Sequence, residues 1–157
     1  MTVLDIVKGK DNPILRTVCD PVESFDKELK KIVRDMKDTL KKAKGLGIAA
    51  PQVGLDIRVF IFITDYGTSN QVVREAINPE VIFAGEQQAL GEEGCLSLPG
   101  KFGNVYRPTE VIVSFFDVHG EKHQMRLLDL DARVFLHELD HINGVLFLDR
   151  LEESLIL

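Results

Sequence analysis

The chain is short of several things. It has two cysteines, Cys19 and Cys95, in 157 residues. Nothing marks it as secreted, so a Cys19–Cys95 disulfide is not expected. There is no signal peptide, "MTVLDIVKGKD" is not an Arg-rich transit sequence, and no apolar run is long enough to span a bilayer. A cytoplasmic protein with no membrane contact is the expectation. Low-complexity segments and internal repeats are also missing. Positive charge is in deficit: 19 Lys and Arg against 25 Asp and Glu leave a net charge of −6. That balance argues against a general nucleic-acid binder. A hydrophobic content of 45% is that of a globular protein, and residues 1–157 suit a single domain with a real core.

What is present is concentrated in a few stretches. Near the C-terminus the chain reads "FLHELDHINGVLF", with His137 and His141 four apart and Glu138 just after the first. On a helix, four residues return to within about 40° of the start. Both imidazoles then leave one face, one turn apart, which suits binding of a single metal ion with Glu138 beside it as a general base. "DLDARVFLHELDHI" supports the helix. Asp129 and Asp131 fall in its first turn, and Leu130, Val134, Leu139 and Ile142 can be buried. Asn143-Gly144 is a stop. The plain alternative is an amphipathic helix with two ordinary histidines.

A catalytic zinc-type site takes three protein ligands and one open position. In the extended pattern HExxHxxGxxH, Gly144 falls in place but the last position is Phe147, which cannot ligate. Downstream, only Glu152 and Glu153 could serve, close behind the helix stop. The third ligand is therefore expected upstream, where the ligand-type residues include Cys19, Cys95, His119 and His123. Cys95, in "GEEGCLSLPG", is bracketed by glycines and reads as tight, irregular backbone. Cys19, in "RTVCDPV", reads as a buried free cysteine. His119 and His123 flank a turn and read as solvated hairpin residues.

The remaining organisation is α+β. From Asp26 to Lys44, Leu29, Ile32, Val33, Met36 and Leu40 recur at helical spacing, an N-terminal amphipathic helix. "GLGIAAPQVG" follows, with Gln52 its only amide side chain, and the plain reading is a helix-to-strand connection. "IRVFIFIT" reads as a buried strand, and "EAINPEVI", "EVIVSFFDV" and "KHQMRLLDL" as further strands, the last two joined by the turn in "DVHGEKH". "TDYGTSNQ" and "LPGKFGNVYRP" read as loops. In the second, Arg107 can pair with an acid such as Glu93 or equally stand as a surface arginine. The fold expected is antiparallel or mixed β-sheets packed around a central helix carrying HExxH.

Three of these stretches, "GLGIAAPQ", "EEGCLSLPG" and "HELDHINGVLFLDR", resemble the three signature motifs of peptide deformylases, in the same order. The opening "NPILR" and the helix before Gly45 are similar too, so the resemblance covers the whole chain. It departs at Leu136, where the family usually has glutamine, and after "FLDRL", where many bacterial members run on into a longer C-terminal helix. The resemblance implies that Cys95, His137 and His141 hold one divalent metal per chain. Fe²⁺ is the expected physiological ion, and Zn²⁺, Ni²⁺ or Co²⁺ also fit. It implies that Glu138 is general base and acid, and that Gln52 and the Leu96 N–H face the substrate carbonyl. Gly47, Leu46 and Gly94 are implied to lie against the substrate. The implied reaction is hydrolysis of the formyl group of an N-formylmethionyl polypeptide, with metal-activated hydroxide attacking the formyl carbon and formate released. The implied setting is a monomer that meets its substrate as it leaves the ribosome. The competing class is an HExxH metalloprotease, against which the cysteine ligand and Phe147 speak.

Overall fold

The computed structural model describes residues 1–152, and residues 153–157, Glu153 among them, lie outside that range. Helix α1 (Lys27–Ala43) forms because Leu29, Val33, Met36 and Leu40 recur on one face, and all four are buried. Asp26 caps its start, with Oδ1 accepting from the Leu29 N–H at 3.0 Å. Lys44 closes it in the left-handed conformation, at φ 59°.

Seven strands follow: β1 (Gly47–Ala49), β2 (Val59–Thr64), β3 (Val72–Ala84), β4 (Gln88–Cys95), β5 (Leu98–Pro108), β6 (Glu110–Phe116) and β7 (Lys122–Leu128). Five make one sheet in the order β1-β2-β3-β6-β7, and β4-β5 stand apart as a hairpin. Every pairing between these strands is antiparallel. The parallel element is an isolated bridge between Asp20 and Ile57.

Strand β2 is buried at all six positions, which accounts for its unbroken apolar run. Val59, Ile61 and Ile63 pack with Leu29, Val33, Met36 and Leu40 of α1. Phe60 and Phe62 point the other way, edge-on to Phe135 of helix α2 (Asp129–Ile142), with ring centroids 4.9 and 5.2 Å apart. The sheet thus has a helix on each face. Each such buried apolar side chain contributes roughly 1.5–3 kcal/mol, so α2 is anchored firmly behind its histidines.

Strand β3 runs through Asn78-Pro79, which a regular interior strand would not accept. The ladder shifts register between Ile77 and Glu80, and Asn78 takes φ 51°. The Asn78 amide then exchanges two hydrogen bonds of 2.9 Å with the backbone of Val22. The segment "LPGKFGNVYRP", expected as a loop, is strand β5, and "GIA" within the expected connection is strand β1. Two glycines of the hairpin, Gly94 and Gly103, make room rather than turns, whereas Gly100 takes φ 76° with open space around it. A Cβ on Gly94 would lie 2.7 Å from the Phe102 ring, and one on Gly103 would strike the Leu151 side chain. Among the described residues, no helix is long and apolar enough to cross a membrane.

Candidate active site

His137 and His141 leave α2 together, their ring centroids 5.0 Å apart. Cys95 ends β4, where the ladder slips register after Gly94, and its Sγ lies 3.3 Å from His141 Nε2. One ligand atom from each of these three residues lies within 4.8 Å of the others. The other residues left open by the sequence are placed elsewhere. Cys19 is a free thiol buried in the phenylalanine core, and burial, then Asp56, pushes its pKa up to about 11. His123 sits at the β6–β7 hairpin, bonded to Asp117 at 2.7 Å and stacked on Phe115.

A buried network aims the histidine pair. Glu93 of β4 accepts from His137 Nδ1 at 2.8 Å, from Arg107 Nε and Nη2 at 2.9 Å each, and from Arg133 at 2.8 Å. Arg107 also reaches Asp140 at 2.7 Å, and Arg150 binds the same carboxylate at 2.6 and 3.0 Å. Burial alone would raise the Glu93 pKa, but the Arg107 and His137 hydrogen bonds outweigh it and hold it down at about 2. A carboxylate on Nδ1 fixes the ring orientation of His137 and leaves Nε2 turned toward the thiol. Burial works to lower the His137 pKa, yet Cys95 and Glu93 raise it to about 10. Burial, then the neighbouring His137, depresses His141 well below the usual imidazole range, so it is neutral near pH 7. Its Nδ1 is buried without a hydrogen-bond partner. Arg107 pairs with Glu93, one of the two readings its sequence left open. Sequence reasoning misses Arg133 and Asp140, although they stand four residues before and three after His137, on its side of the helix.

These donors fit a divalent metal. One thiol and two imidazoles form a set that suits zinc or ferrous iron. His141 is already in the neutral form that ligation needs, and a cation at His137 Nε2 would displace the proton that Cys95 attracts there.

Glu138 points into the same space and is only 4% exposed. Its Oε1 is buried and unpartnered, and its Oε2 lies 4.0 Å from His137 Nε2. Burial raises its pKa to about 7, with His137 pulling the other way. Gly47 makes room for it, since a Cβ there would stand 2.6 Å from Glu138 Oε2. Gln52 is 1% exposed. Its Oε1 accepts from the Ala49 N–H at 2.9 Å, while Nε2 donates to Ser97 Oγ at 3.1 Å and toward Cys95 Sγ at 3.5 Å. Ser97 carries no signal in the sequence that would link it to Gln52. Beside these groups opens a cavity of about 400 Å³, with Leu46, Gly47, Gly94, Leu96 and Val134 among its lining and Cys95, His137 and Glu138 also in its walls.

Three clustered metal-type donors, an adjoining buried acid and an apolar cavity form the constellation of a metal-dependent hydrolase. Similarity to known proteins narrows that class. A model of the polypeptide deformylase family matches residues 3–155. A peptide deformylase of Parafrankia sp. is 40% identical over 154 residues, which are 98% of this chain and 81% of the relative. The crystal structure of peptide deformylase from Thermotoga maritima is similar with a TM-score of 0.88 at 38% identity, covering 97% of this chain and 99% of that one. A class I type b peptide deformylase from Acinetobacter baumannii, solved with Met-Ala-Ser bound, gives a TM-score of 0.88 at 33% identity, covering 96% of this chain and all of the other. The chain belongs to the polypeptide deformylase family, and it is an enzyme, a hydrolase.

Proposed function

We propose that this enzyme removes the formyl group from N-formylmethionyl polypeptides and releases formate. The observation that carries the reading is the buried Glu138 carboxylate, its Oε1 unpartnered, beside the Cys95–His137–His141 cluster in the wall of a cavity of about 400 Å³. Cys95, His137 and His141 would hold a divalent metal, which when bound would act as a Lewis acid and lower the pKa of water toward about 7. The rest belongs to the chain's own groups. Leu46, Gly94 and Val134 seat the methionine side chain, and Gly47 lets the substrate backbone pass close to Glu138. Glu138, held near neutrality by burial, takes the proton of the attacking water and later delivers it to the leaving amine. Gln52 Nε2 and the Leu96 N–H donate to the carbonyl oxygen as negative charge develops on it. Gln52 gives up the longer of its two N–H contacts, that to Cys95, to do so. The same reading sets the enzyme in the cytoplasm as a monomer, meeting nascent chains at the ribosome. The test is formate release from formyl-Met and acetyl-Met peptides of one sequence. The formyl peptide is expected to react far faster, and equal rates would make this a broader amidohydrolase.

Two further outcomes follow from the site. Gln52→Leu keeps the side chain's size and removes its donor. One such donor is worth about 3 kcal/mol, so kcat/KM is expected to fall at least tenfold with metal content unchanged. Unchanged kinetics would reduce Gln52 to a turn residue. The metal is proposed to be Fe²⁺. Protein stripped and reloaded anaerobically is expected to be fastest with Fe²⁺, to lose that activity in air as iron or Cys95 oxidises, and to be steadier with Ni²⁺ or Co²⁺. An iron form that is air-stable and no faster than the zinc form would overturn the iron assignment alone.

A further inference from the structure

The net charge of −6 hides an uneven distribution. Residues 27–44 hold eight of the chain's 19 Lys and Arg but three of its 25 acids, a local charge of +5. On α1 the cations Lys27, Lys30, Arg34, Lys37 and Lys41 follow one another at steps of three or four residues. That spacing makes a stripe with one cation about every 5.4 Å of axis. Lys31 and Lys42 flank it, and Lys44 caps its end. All of these but the half-buried Lys37 are exposed. Among the described residues, two of the eight are in ion pairs, Lys31 with Asp35 at 2.7 Å and Lys37 with Glu75 at 2.6 Å. Asp38 is the single acid inside the stripe, and Glu28 lies at its margin.

The pattern costs stability. Like charges at i, i+4 (Lys27 and Lys31, Lys30 and Arg34, Lys37 and Lys41) repel, and Lys27 stands at the positive end of the helix dipole. Packing gives no reason for it, because the buried face of α1 is a separate set of residues.

We infer that the exposed face of α1 docks on the phosphate backbone of RNA. A row of cations in which all but Lys37 are exposed and, among the described residues, outside any ion pair complements a polymer of repeated negative charge. A bilayer fits less well, since the apolar residues of α1 are committed to the core and leave nothing to insert. A protein partner fits less well too, because the face carries no aromatic or large apolar anchor. The acidic remainder of the molecule repels the polyanion and so restricts docking to this face. Helix α1 runs directly into Gly45, Leu46 and Gly47 of the cavity wall, so a strand held along α1 would place the cavity mouth beside it. The inference is independent of the reaction assigned above.

The test is fluorescence anisotropy of a labelled single-stranded RNA titrated with the full chain over a range of salt. Binding is expected to be weak and salt-dependent, with the logarithm of affinity falling against that of salt at a slope of about −3 for four contacted phosphates. The variant Lys30→Glu/Arg34→Glu/Lys41→Glu is expected to lose at least tenfold in affinity and to keep the circular-dichroism spectrum and cooperative thermal unfolding of the parent chain, which show that it is folded. A control with the same charge change elsewhere, Lys8→Glu/Lys10→Glu/Lys122→Glu, is expected to lose little. The inference is overturned if the RNA is not bound at low salt, if both variants lose affinity equally, or if phosphatidylserine vesicles are bound more tightly than RNA through the same residues.

Discussion

Glu138→Ala is expected to keep its metal and lose turnover by about 10²–10⁴-fold, the range for a removed general acid–base group. The carboxylate lies beside the metal-type donors without belonging to their cluster: ligand atoms of Cys95, His137 and His141 converge within 4.8 Å, and Glu138 is not among them. Burial without a partner for Oε1 keeps it protonatable near neutrality, as the proposed role of base and then acid requires. Cys95→Ala is expected to do the reverse and lose metal and activity together. Metal analysis beside formate release separates the roles. Loss of metal from the Glu138 variant would make Glu138 a ligand, and retention of metal by the Cys95 variant would remove the cysteine from the set.

Arg107→Met should destabilise the fold by about 3–5 kcal/mol, the usual result of stripping one partner from a buried ion network. Arg107 is 4% exposed and bridges Glu93 of β4 to Asp140 of α2. Burial disfavours its charge, but those two carboxylates raise its pKa above the ordinary guanidinium value, so it stays cationic. Without it Glu93 keeps Arg133, and Asp140 keeps Arg150, but the tie between hairpin and helix is cut. For a chain of this size the loss corresponds to a fall in Tm of roughly 6–20 °C. Metal affinity should drop as well, because Glu93 orients His137. Arg107→Lys restores charge without the two-pronged contact, and its Tm is expected to lie between the two. A Tm unchanged in Arg107→Met would show that the remaining arginines carry the network alone.

Features set by short-range spacing are legible in the sequence. The apolar repeat places helix α1 at 26–44, and it spans Lys27–Ala43, because that repeat and the Asp26 cap are local signals. The stretch "DLDARVFLHELDHI" indicates helix α2 over Asp129–Ile142, and those are its bounds. β2 is recognisable as a buried strand because a strand covered on both faces has no polar face to alternate. The hairpin β4–β5 is not legible. Its glycines signal a loop to any local reading, yet Gly94 and Gly103 serve close approach by Phe102 and Leu151, one across the hairpin and one from a distant segment. Strand β1, three residues long, owes its conformation to pairing with Phe60–Phe62 of β2.

The site divides along the same line. By itself, the sequence determined that His137 and His141 share a face with Glu138 next to the first, since helical pitch alone places residues one turn apart. It also pointed upstream, to Cys19, Cys95, His119 and His123, for any group that would join them. Which of the four upstream candidates stands beside the pair was decided by tertiary structure, which brings the Cys95 thiol to His141 across 46 residues of chain. So were the Glu93–Arg107–Asp140 network, the partnership of Gln52 with Ser97 and the clearance at Gly47. The physical reason is one of range. Periodicity and caps act within a turn or two of backbone, whereas bringing Cys95 to His141 requires the packing of β2 between two helices to fix where α2 lies and the pairing of β4 with β5 to carry the thiol to it.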